Sequence, residues 1–369
     1  MFPRLKRWFR HTRRDTRSER APTEHFAADI SASPADVNVD ATEYARRIER
    51  EIEYYLDDVD VHALPDIFHY WSNRYIRPMF EGVGTTHPED LFVKYLLEAA
   101  SASKRSSPRF VSIGAGNCDV ECGLADQLVA RGLDRFTFEC IDINPHMLER
   151  GRAMATERGL HKRVLPIHGD FNDWAPEGQY DAILANQCLH HVQNLEGLFS
   201  AIERSLGEHG RFITSDMIGR NGHQRWPEAE KIVRGVWAEL GDRYKYNHQL
   251  QELQLDFVNH DCASESFEGI RAQDILPLLV ERFGFDVFIA FGNVVDPFID
   301  RGFGHNFSVD SDHDRRLIDR LHEIDEAGFA DGTLSPTHLV AVMRRKGLET
   351  DSPYLARGLA PAQAVRRSG

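Results

Sequence analysis

The 369-residue sequence has few cysteines and no long apolar run. Its five cysteines are an odd number and fall mostly in or beside predicted strands and helices, which is typical of reduced, semi-buried thiols in a cytosolic protein. Cys118 and Cys122 have no second Cys or His pair at zinc-site spacing, and no metal-ligand triad is evident, so we expect no metal. A run of about 18 apolar residues is also absent, so we expect no membrane-spanning helix.

The sequence also lacks an excess of positive charge. Its net charge of −14 argues against a general nucleic-acid-binding surface. Basic residues concentrate at positions 1–20, where Phe2, Leu5, Trp8 and Phe9 stand among the cations. We interpret this segment as a solvated, disordered tail, with peripheral contact to the inner face of a membrane as the alternative. No apolar h-region follows it, so we expect a cytoplasmic protein rather than a secreted one.

One stretch, 109–143, has the pattern of a strand, a Gly-rich turn, a helix and a second strand. Gly114 and Gly116 end the first apolar run, and a helical pattern follows as far as Gly132. Glycine lets the backbone turn sharply and lets a ligand lie against it. Asp142, near the end of the second strand, carries a carboxylate that can accept both hydroxyls of a ribose. The stretch therefore predicts a nucleotide-binding βαβ unit.

Strands and helices continue to alternate after this unit. Further strands are predicted at 164–168, 180–186 and 211–216, with helices from Asn144 and over 195–206. This alternation predicts an α/β fold with a doubly wound parallel sheet. Polar residues recur where four strands end, and ligands of such sheets bind at that edge. These residues are Gly114 with Gly116, Asp142, Asp170 and Asn186.

The stretches VSIGAGNCDVE, FECIDINPHMLERGRAMA, IHGDFNDW and YDAILANQCLHHVQN resemble class I S-adenosylmethionine (SAM)-dependent methyltransferases. The resemblance implies SAM as cofactor, S-adenosylhomocysteine as product, and a seven-stranded sheet with an N-terminal helical lid and an insertion after strand five. One departure is Cys118, which stands where many relatives have a third glycine.

The resemblance also implies roles for individual residues. Gly114 and Gly116 would line the methionine part of SAM, Asp142 would bind the ribose, and Ile143 would also contact the cofactor. Asp170 would accept from the adenine amino group, with Phe171 packing nearby. Asn186 and Gln187 would lie beneath the sulfonium. Arg74 would pair with the SAM carboxylate, or else is ordinary helix-surface polarity.

The pattern divides the chain into six segments. A second pair of strands, over 285–290 and 338–343, is expected to complete the sheet as an antiparallel pair. The segments are a basic disordered tail (1–40), a helical lid (41–107), the SAM-binding core (108–219), an acceptor-side insertion (220–266), the rest of the core sheet (267–346) and a loose tail (347–369).

The function that the resemblance implies is in-line methyl transfer to a small-molecule or saccharide acceptor, at a hydroxyl. The run SDMIGRNGHQRWPEA resembles bacterial methyltransferases of glycan and natural-product biosynthesis. A hydroxyl acceptor benefits from a base, and histidine has a suitable pKa. The candidates are His190, His191, His223 and His248. The alternatives are a protein or carboxylate methyltransferase and a SAM-binding regulatory protein without activity.

Overall fold

The computed structural model describes residues 41–54, 64–264 and 266–366. The basic segment 1–20 lies outside the described residues, and with it both the predicted disordered tail and the alternative of a membrane contact. Within the described ranges, none of the helices combines the length and apolar character that crossing a bilayer requires.

A central sheet of eight strands organises the molecule. Its strands are β1 (Arg109–Ile113), β2 (Thr137–Asp142), β3 (Val164–His168), β4 (Tyr180–Asn186), β5 (Leu206–Met217), β8 (Phe283–Phe291), β9 (His338–Arg345) and β10 (Tyr354–Leu355); β6 (Tyr246–Asn247) and β7 (Glu252–Leu253) form a separate hairpin. The order across the sheet is β3-β2-β1-β4-β5-β9-β8-β10. Strands β1 to β5 are parallel, and β9 is antiparallel to both β5 and β8.

Helices precede, connect and cover these strands. They are α1 (Ala41–Tyr54), α2 (Asp66–Trp71), α3 (Arg77–Glu81), α4 (Pro88–Ala102), α5 (Asp119–Ala130), α6 (Pro145–Glu157), α7 (Leu195–Ser205), α8 (Pro227–Glu239), α9 (Ala272–Arg282), α10 (Asp296–Ile299), α11 (Asp312–Asp331) and α12 (Pro361–Ala364). A π-helical turn, Ser72–Ile76, joins α2 to α3.

The sheet is covered on both faces. Successive strand residues point to opposite sides, so Phe110 packs in one apolar core and Val111 in the other. Helices α4 and α5 contribute Leu96 and Leu124 to the first core, whereas α7 and α9 supply the second. Burial on both faces explains the apolar runs of the parallel strands. The predicted doubly wound α/β fold is confirmed.

Local sequence patterns in the core also predicted the observed strand bounds and helix start. Strands β3 and β4 have the predicted bounds. Asn144 caps α6, because its Oδ1 accepts from the backbone N–H groups of His146 and Met147 at 3.0 and 3.2 Å, and Pro145 follows at the first helical position.

Two features of the C-terminal part differ from the expectation. The sheet has eight strands rather than seven, because Tyr354 and Leu355 pair with β8 along its otherwise open edge. The predicted loose tail is also packed: the Tyr354 hydroxyl donates to the Met79 carbonyl at 2.8 Å, and Arg366 pairs with Glu228 at 2.9 Å. A two-residue strand is too short to show an alternating pattern in the sequence.

Candidate active site

The Gly-rich turn after β1 is closely packed against the end of β4. Gly114 has φ +67°, and a Cβ atom there would lie 2.4 Å from the Cβ of Cys188. Gly116 has φ +53°, and its N–H donates to Asp142 Oδ2 at 2.8 Å. Gly114 therefore has no room for a side chain, Gly116 has a backbone conformation that favours glycine, and a hydrogen bond joins the turn to the acid at the end of β2.

Cys118 takes the place of the third glycine without changing the turn. It adopts φ +56°, the left-handed conformation that glycine favours, and its side chain is buried. Gly151 of α6 makes room for it, since a Cβ at position 151 would lie 2.9 Å from the Cys118 Sγ. The departure from the family pattern is thus accommodated by a second glycine.

Asp142 presents a buried carboxylate at the carboxyl end of β2. Its side chain accepts the N–H of Gly116 on Oδ2 and the N–H of Asn144 on Oδ1, both at 2.8 Å. Burial raises the pKa of Asp142, although these N–H bonds and the His191 imidazole oppose the rise. Each oxygen keeps a further lone pair, which suits two ribose hydroxyls.

Asp170, at the end of β3, is covered by the N-terminal helix α1. The Tyr44 hydroxyl donates to Asp170 Oδ2 at 2.6 Å, and its ring packs edge-on against Phe267 at 5.2 Å. Burial and the neighbouring Asp170 raise the pKa of Tyr44, so its hydroxyl keeps its proton and remains a donor. Phe171 begins the turn Phe171–Asp173 and packs against the second core. The helix predicted as part of a lid therefore touches the predicted adenine site.

Asn186 and Gln187 lie where β4 ends beside β5. Asn186 is paired with Ser215 in the sheet, and the Gln187 N–H donates to the Ser215 carbonyl at 2.7 Å. Gln187 has φ +53°, an uncommon backbone conformation for a residue with a side chain. Next to the ribose acid, His168 Nε2 lies 3.1 Å from the Ile143 carbonyl oxygen.

Three of the four predicted histidines meet around one carboxylate. His190 and His191 form the turn after β4, and His223 lies in the turn Asn221–His223. The nearest Nε2–oxygen distances to Glu268 are 3.5 Å for His190, 3.5 Å for His191 and 2.9 Å for His223. His190 also has its Nδ1 2.6 Å from Asp216 Oδ1, at the end of β5.

The two carboxylates and burial set the charges in this cluster. Burial lowers the pKa of His190, but Asp216 and Glu268 outweigh it and raise that pKa to about 10. Desolvation opposes ionisation of Glu268, yet His191 and His190 hold its pKa well below the usual range. Burial lowers the pKa of His223, with Glu268 opposing, so this imidazole is neutral near pH 7.

Comparison with known proteins agrees with this geometry. Residues 112–214 match the family model described as a methyltransferase domain. Residues 112–214 therefore form a methyltransferase domain, and the findings support the class I SAM-dependent family with SAM as its cofactor.

The similar proteins act on different molecules. The chain is 30% identical over 134 residues to the sterol 24-C-methyltransferase of Pneumocystis carinii, covering 36% of this chain and 34% of that protein. It is 23% identical over 272 residues to the sterol 24-C-methyltransferase of Aspergillus fumigatus, covering 71% and 66%. The O-methyltransferase of a trans-AT PKS multienzyme from Brevibacillus brevis has 15% identity and a TM-score of 0.42, covering 78% and 85%. The chain spans 34%, 42% and 41% of the first three curated relatives it matches.

Two predicted site residues lie elsewhere in the methyltransferase. Arg74 is on an exposed surface, where it donates to the Tyr75 hydroxyl at 3.0 Å and lies 3.6 Å from Asp319 of α11. These contacts are those of the helix-surface alternative, and the pairing of Arg74 with the SAM carboxylate stays a prediction. His248 lies in the insertion, 2.9 Å from Asn306 Oδ1, and is not part of the histidine cluster.

The structure adds three residues to the site. Asp216 follows the strand-end rule that pointed to Asp142 and Asp170, so the sequence carried a usable signal for it. Glu268 and Tyr44 had no such signal, because each reaches the site only through the folding of a distant segment.

Among the residues that the structure describes, two sets have atoms close enough to hold a metal ion, which the sequence spacing did not indicate. One is His190, His191 and Glu268; the other is Cys118, Glu121 and Cys140. The second set is buried between the sheet and α5. Burial raises the pKa of the Cys140 thiol well above its ordinary value, so it is a poor ligand.

Proposed function

We propose that this methyltransferase transfers the methyl group of SAM to a hydroxyl of a small-molecule or saccharide acceptor. The observation that carries the proposal is the group of three imidazoles around Glu268, at the carboxyl ends of β4 and β5 and beside Asp142. A deprotonating group at the end of the strands that carry the cofactor residues suits an acceptor whose proton must leave.

The residues of the cofactor edge would act mainly by positioning. SAM supplies a methyl group that is already activated on a sulfonium. Asp142 would hold the ribose, and the turn at Gly114 would keep the backbone close to the cofactor. Fixing donor and acceptor in line contributes several kcal/mol to such a displacement, or about 10³-fold or more in rate.

His223 is the imidazole best suited to take the acceptor proton. Burial keeps it neutral near pH 7, and the contact of its Nε2 with Glu268 leaves Nδ1 as the free acceptor when Nε2 carries the hydrogen. As the acceptor oxygen bonds to the methyl carbon and the carbon–sulfur bond breaks, the hydroxyl proton would pass to this nitrogen. The Glu268 carboxylate would stabilise the imidazolium, as an acid orients the histidine of other catalytic pairs.

Methylation of an apolar acceptor at carbon is a second candidate. The relatives from Pneumocystis and Aspergillus are named as sterol 24-C-methyltransferases. The insertion also exposes three apolar side chains, Leu253, Leu255 and Val258, each more than half accessible. These apolar side chains would contact an apolar acceptor favourably, whereas a saccharide would gain little from them.

The test supplies ¹³C-methyl SAM to the full-length protein with cell extract separated into polar metabolites, lipids, glycans and proteins. We expect label in a small-molecule, lipid or glycan fraction, and the ¹³C shift of the product separates a methyl ether from a methyl on carbon. Label in the protein fraction would instead establish protein methylation. No label in any fraction despite tight SAM binding would favour a regulatory protein.

Two variants separate cofactor binding from chemistry. Asp142→Ala should lose both label transfer and affinity for S-adenosylhomocysteine in calorimetry. His223→Asn should keep that affinity but lower kcat by about 10²- to 10⁴-fold, the usual contribution of a general base. His248→Asn is the matched control, and undiminished turnover in His223→Asn would remove His223 from the mechanism.

A further inference from the structure

His190, His191 and Glu268 bring three metal-ligand atoms together beside the cofactor residues. The Nε2 atoms of the two histidines lie 3.5 Å from different oxygens of the Glu268 carboxylate. One ligand atom from each residue lies within 4.8 Å of the other two. We propose that these three residues bind one divalent transition-metal ion, a site that stands independently of the proposed methyl acceptor.

The distances in the cluster favour an ion over direct hydrogen bonds. A charge-assisted N–H···O bond is about 2.7–2.9 Å long, so two separations of 3.5 Å are too long for two such bonds. Ligands at about 2.0–2.1 Å from a tetrahedral zinc lie roughly 3.3 Å from one another. The His190 and His191 contacts with Glu268 are close to that value.

Asp216 fixes the His190 ring for metal binding. Its Oδ1 lies 2.6 Å from His190 Nδ1, while its Oδ2 accepts the backbone N–H groups of Cys188 and Leu189 at 2.9 and 2.7 Å. An ion that binds here displaces the second imidazole proton of His190, and the hydrogen kept on Nδ1 then leaves the Nε2 lone pair facing Glu268. Metal-binding histidines are commonly oriented in this way by a carboxylate on the other ring nitrogen.

His223 also contacts the Glu268 carboxylate, on the oxygen that His190 approaches. Its Nε2 is 2.9 Å from Glu268 Oε1, and its backbone has φ +55°. A left-handed conformation at a residue with a side chain is unfavourable and persists where the surroundings impose it. The turn is held by the Gly222 N–H, which donates to the Gly269 carbonyl at 2.9 Å next to Glu268. The contact with His223 and the turn next to Glu268 therefore hold the carboxylate in place.

The donor set and charge select the kind of ion. Two carboxylates, Asp216 and Glu268, face the histidines in this arrangement, and a doubly charged cation would balance their charge once the imidazole protons are displaced. Two imidazoles and one carboxylate suit Zn²⁺, Fe²⁺, Mn²⁺ or Co²⁺ and leave coordination positions open for water or a ligand. His191 also lies close enough to Asp142 to influence its pKa, so the ion would neighbour the ribose site.

The test uses the full chain, stripped with a chelator and titrated with Co²⁺ followed by visible absorption, and then with Zn²⁺ as competitor. We expect one ion per chain and a rise in unfolding temperature with Zn²⁺. Glu268→Gln and His191→Asn should each weaken binding at least 100-fold and remove that rise. Asp216→Asn should weaken it about 10- to 100-fold, the usual effect of an outer-shell partner.

His248→Asn removes a histidine outside the cluster and should bind Co²⁺ like the wild type. Unfolding temperatures without metal show that each variant is folded. The proposal is overturned when the wild type takes up no stoichiometric ion, or when both cluster variants bind as it does. A failure here leaves the methyl-transfer proposal standing, since label transfer is measured separately.

Discussion

At the scale of single residues, Gly114 and Gly123 allow a matched comparison of two Gly→Ala substitutions, one without and one with room for the added Cβ. Gly114→Ala places a Cβ 2.4 Å from the Cys188 Cβ at φ +67°, so we expect a loss of about 2–4 kcal/mol in unfolding free energy and weaker cofactor binding. Gly123→Ala lies inside α5 with no atom within 4 Å of the added Cβ, and should gain about 0.5–1 kcal/mol. Urea unfolding and calorimetry with S-adenosylhomocysteine measure both effects. Equal stability of the two variants would show that the turn relaxes.

The residues of the cofactor edge were predictable because they stand at strand ends. Asp142, Asp170 and Asn186 each end an apolar run, and parallel strands bring such ends to one edge. Arg74 could not be placed, because an arginine in a polar helix finds a partner that the sequence does not reveal, here Asp319. Glu268 could not be predicted from the sequence either, because it reaches the site only where the chain returns after the insertion.

At the scale of elements, Arg225 and Asp296 connect the turn of His223 to α10. Arg225 donates to Asp296 Oδ2 at 2.6 Å, to the Asn293 carbonyl at 2.8 Å and to the His223 carbonyl at 3.1 Å. Both side chains of the ion pair are mostly buried. Removing one charge from such a pair leaves the other without compensation, so we expect Asp296→Asn to cost about 3 kcal/mol.

This ion pair also predicts how the free energy of unfolding falls at acid pH. Burial raises the pKa of Asp296, but His338 and Arg225 lower it to about 2, below its ordinary value of 3.8. The stabilisation is therefore complete above about pH 4 and is lost as the pH falls toward 2. Urea unfolding from pH 7 to 2.5 should show this loss in the wild type and a flatter curve in Asp296→Asn. Glu81→Gln, in an exposed pair, should change stability by less than about 0.5 kcal/mol.

The elements themselves were largely predictable within the core and less so outside it. Apolar runs, the Asn144–Pro145 start of α6 and glycine stops located the strands and helices of 109–217. The observed ends differ from the predicted ones where strand pairing lengthens an element. Strand β5, for example, begins at Leu206 rather than at 211. The docking of α1 on Asp170 depends on Tyr44 and had no local pattern.

At the scale of the whole molecule, the C-terminal segment joins regions that are distant in sequence. Tyr354 and Leu355 extend the sheet at β8, and the Tyr354 hydroxyl reaches the Met79 carbonyl of α3. Arg357 pairs with Glu326 of α11 at 2.9 Å, and α12 buries Ala364 against the second core. The contacts of this segment therefore connect the predicted lid region to the β8 edge of the sheet.

A chain that ends at residue 349 should be less stable by about 3 kcal/mol or more and should self-associate. The truncation uncovers the edge of β8, whose unpaired backbone groups can pair with another chain, and exposes apolar side chains beneath α12. Urea unfolding and size-exclusion chromatography over a range of concentrations measure the two effects. A chain that ends at residue 366 keeps every described contact of the segment and is the control. Unchanged stability and a single concentration-independent peak for the shorter chain would mean that the sheet is complete without β10.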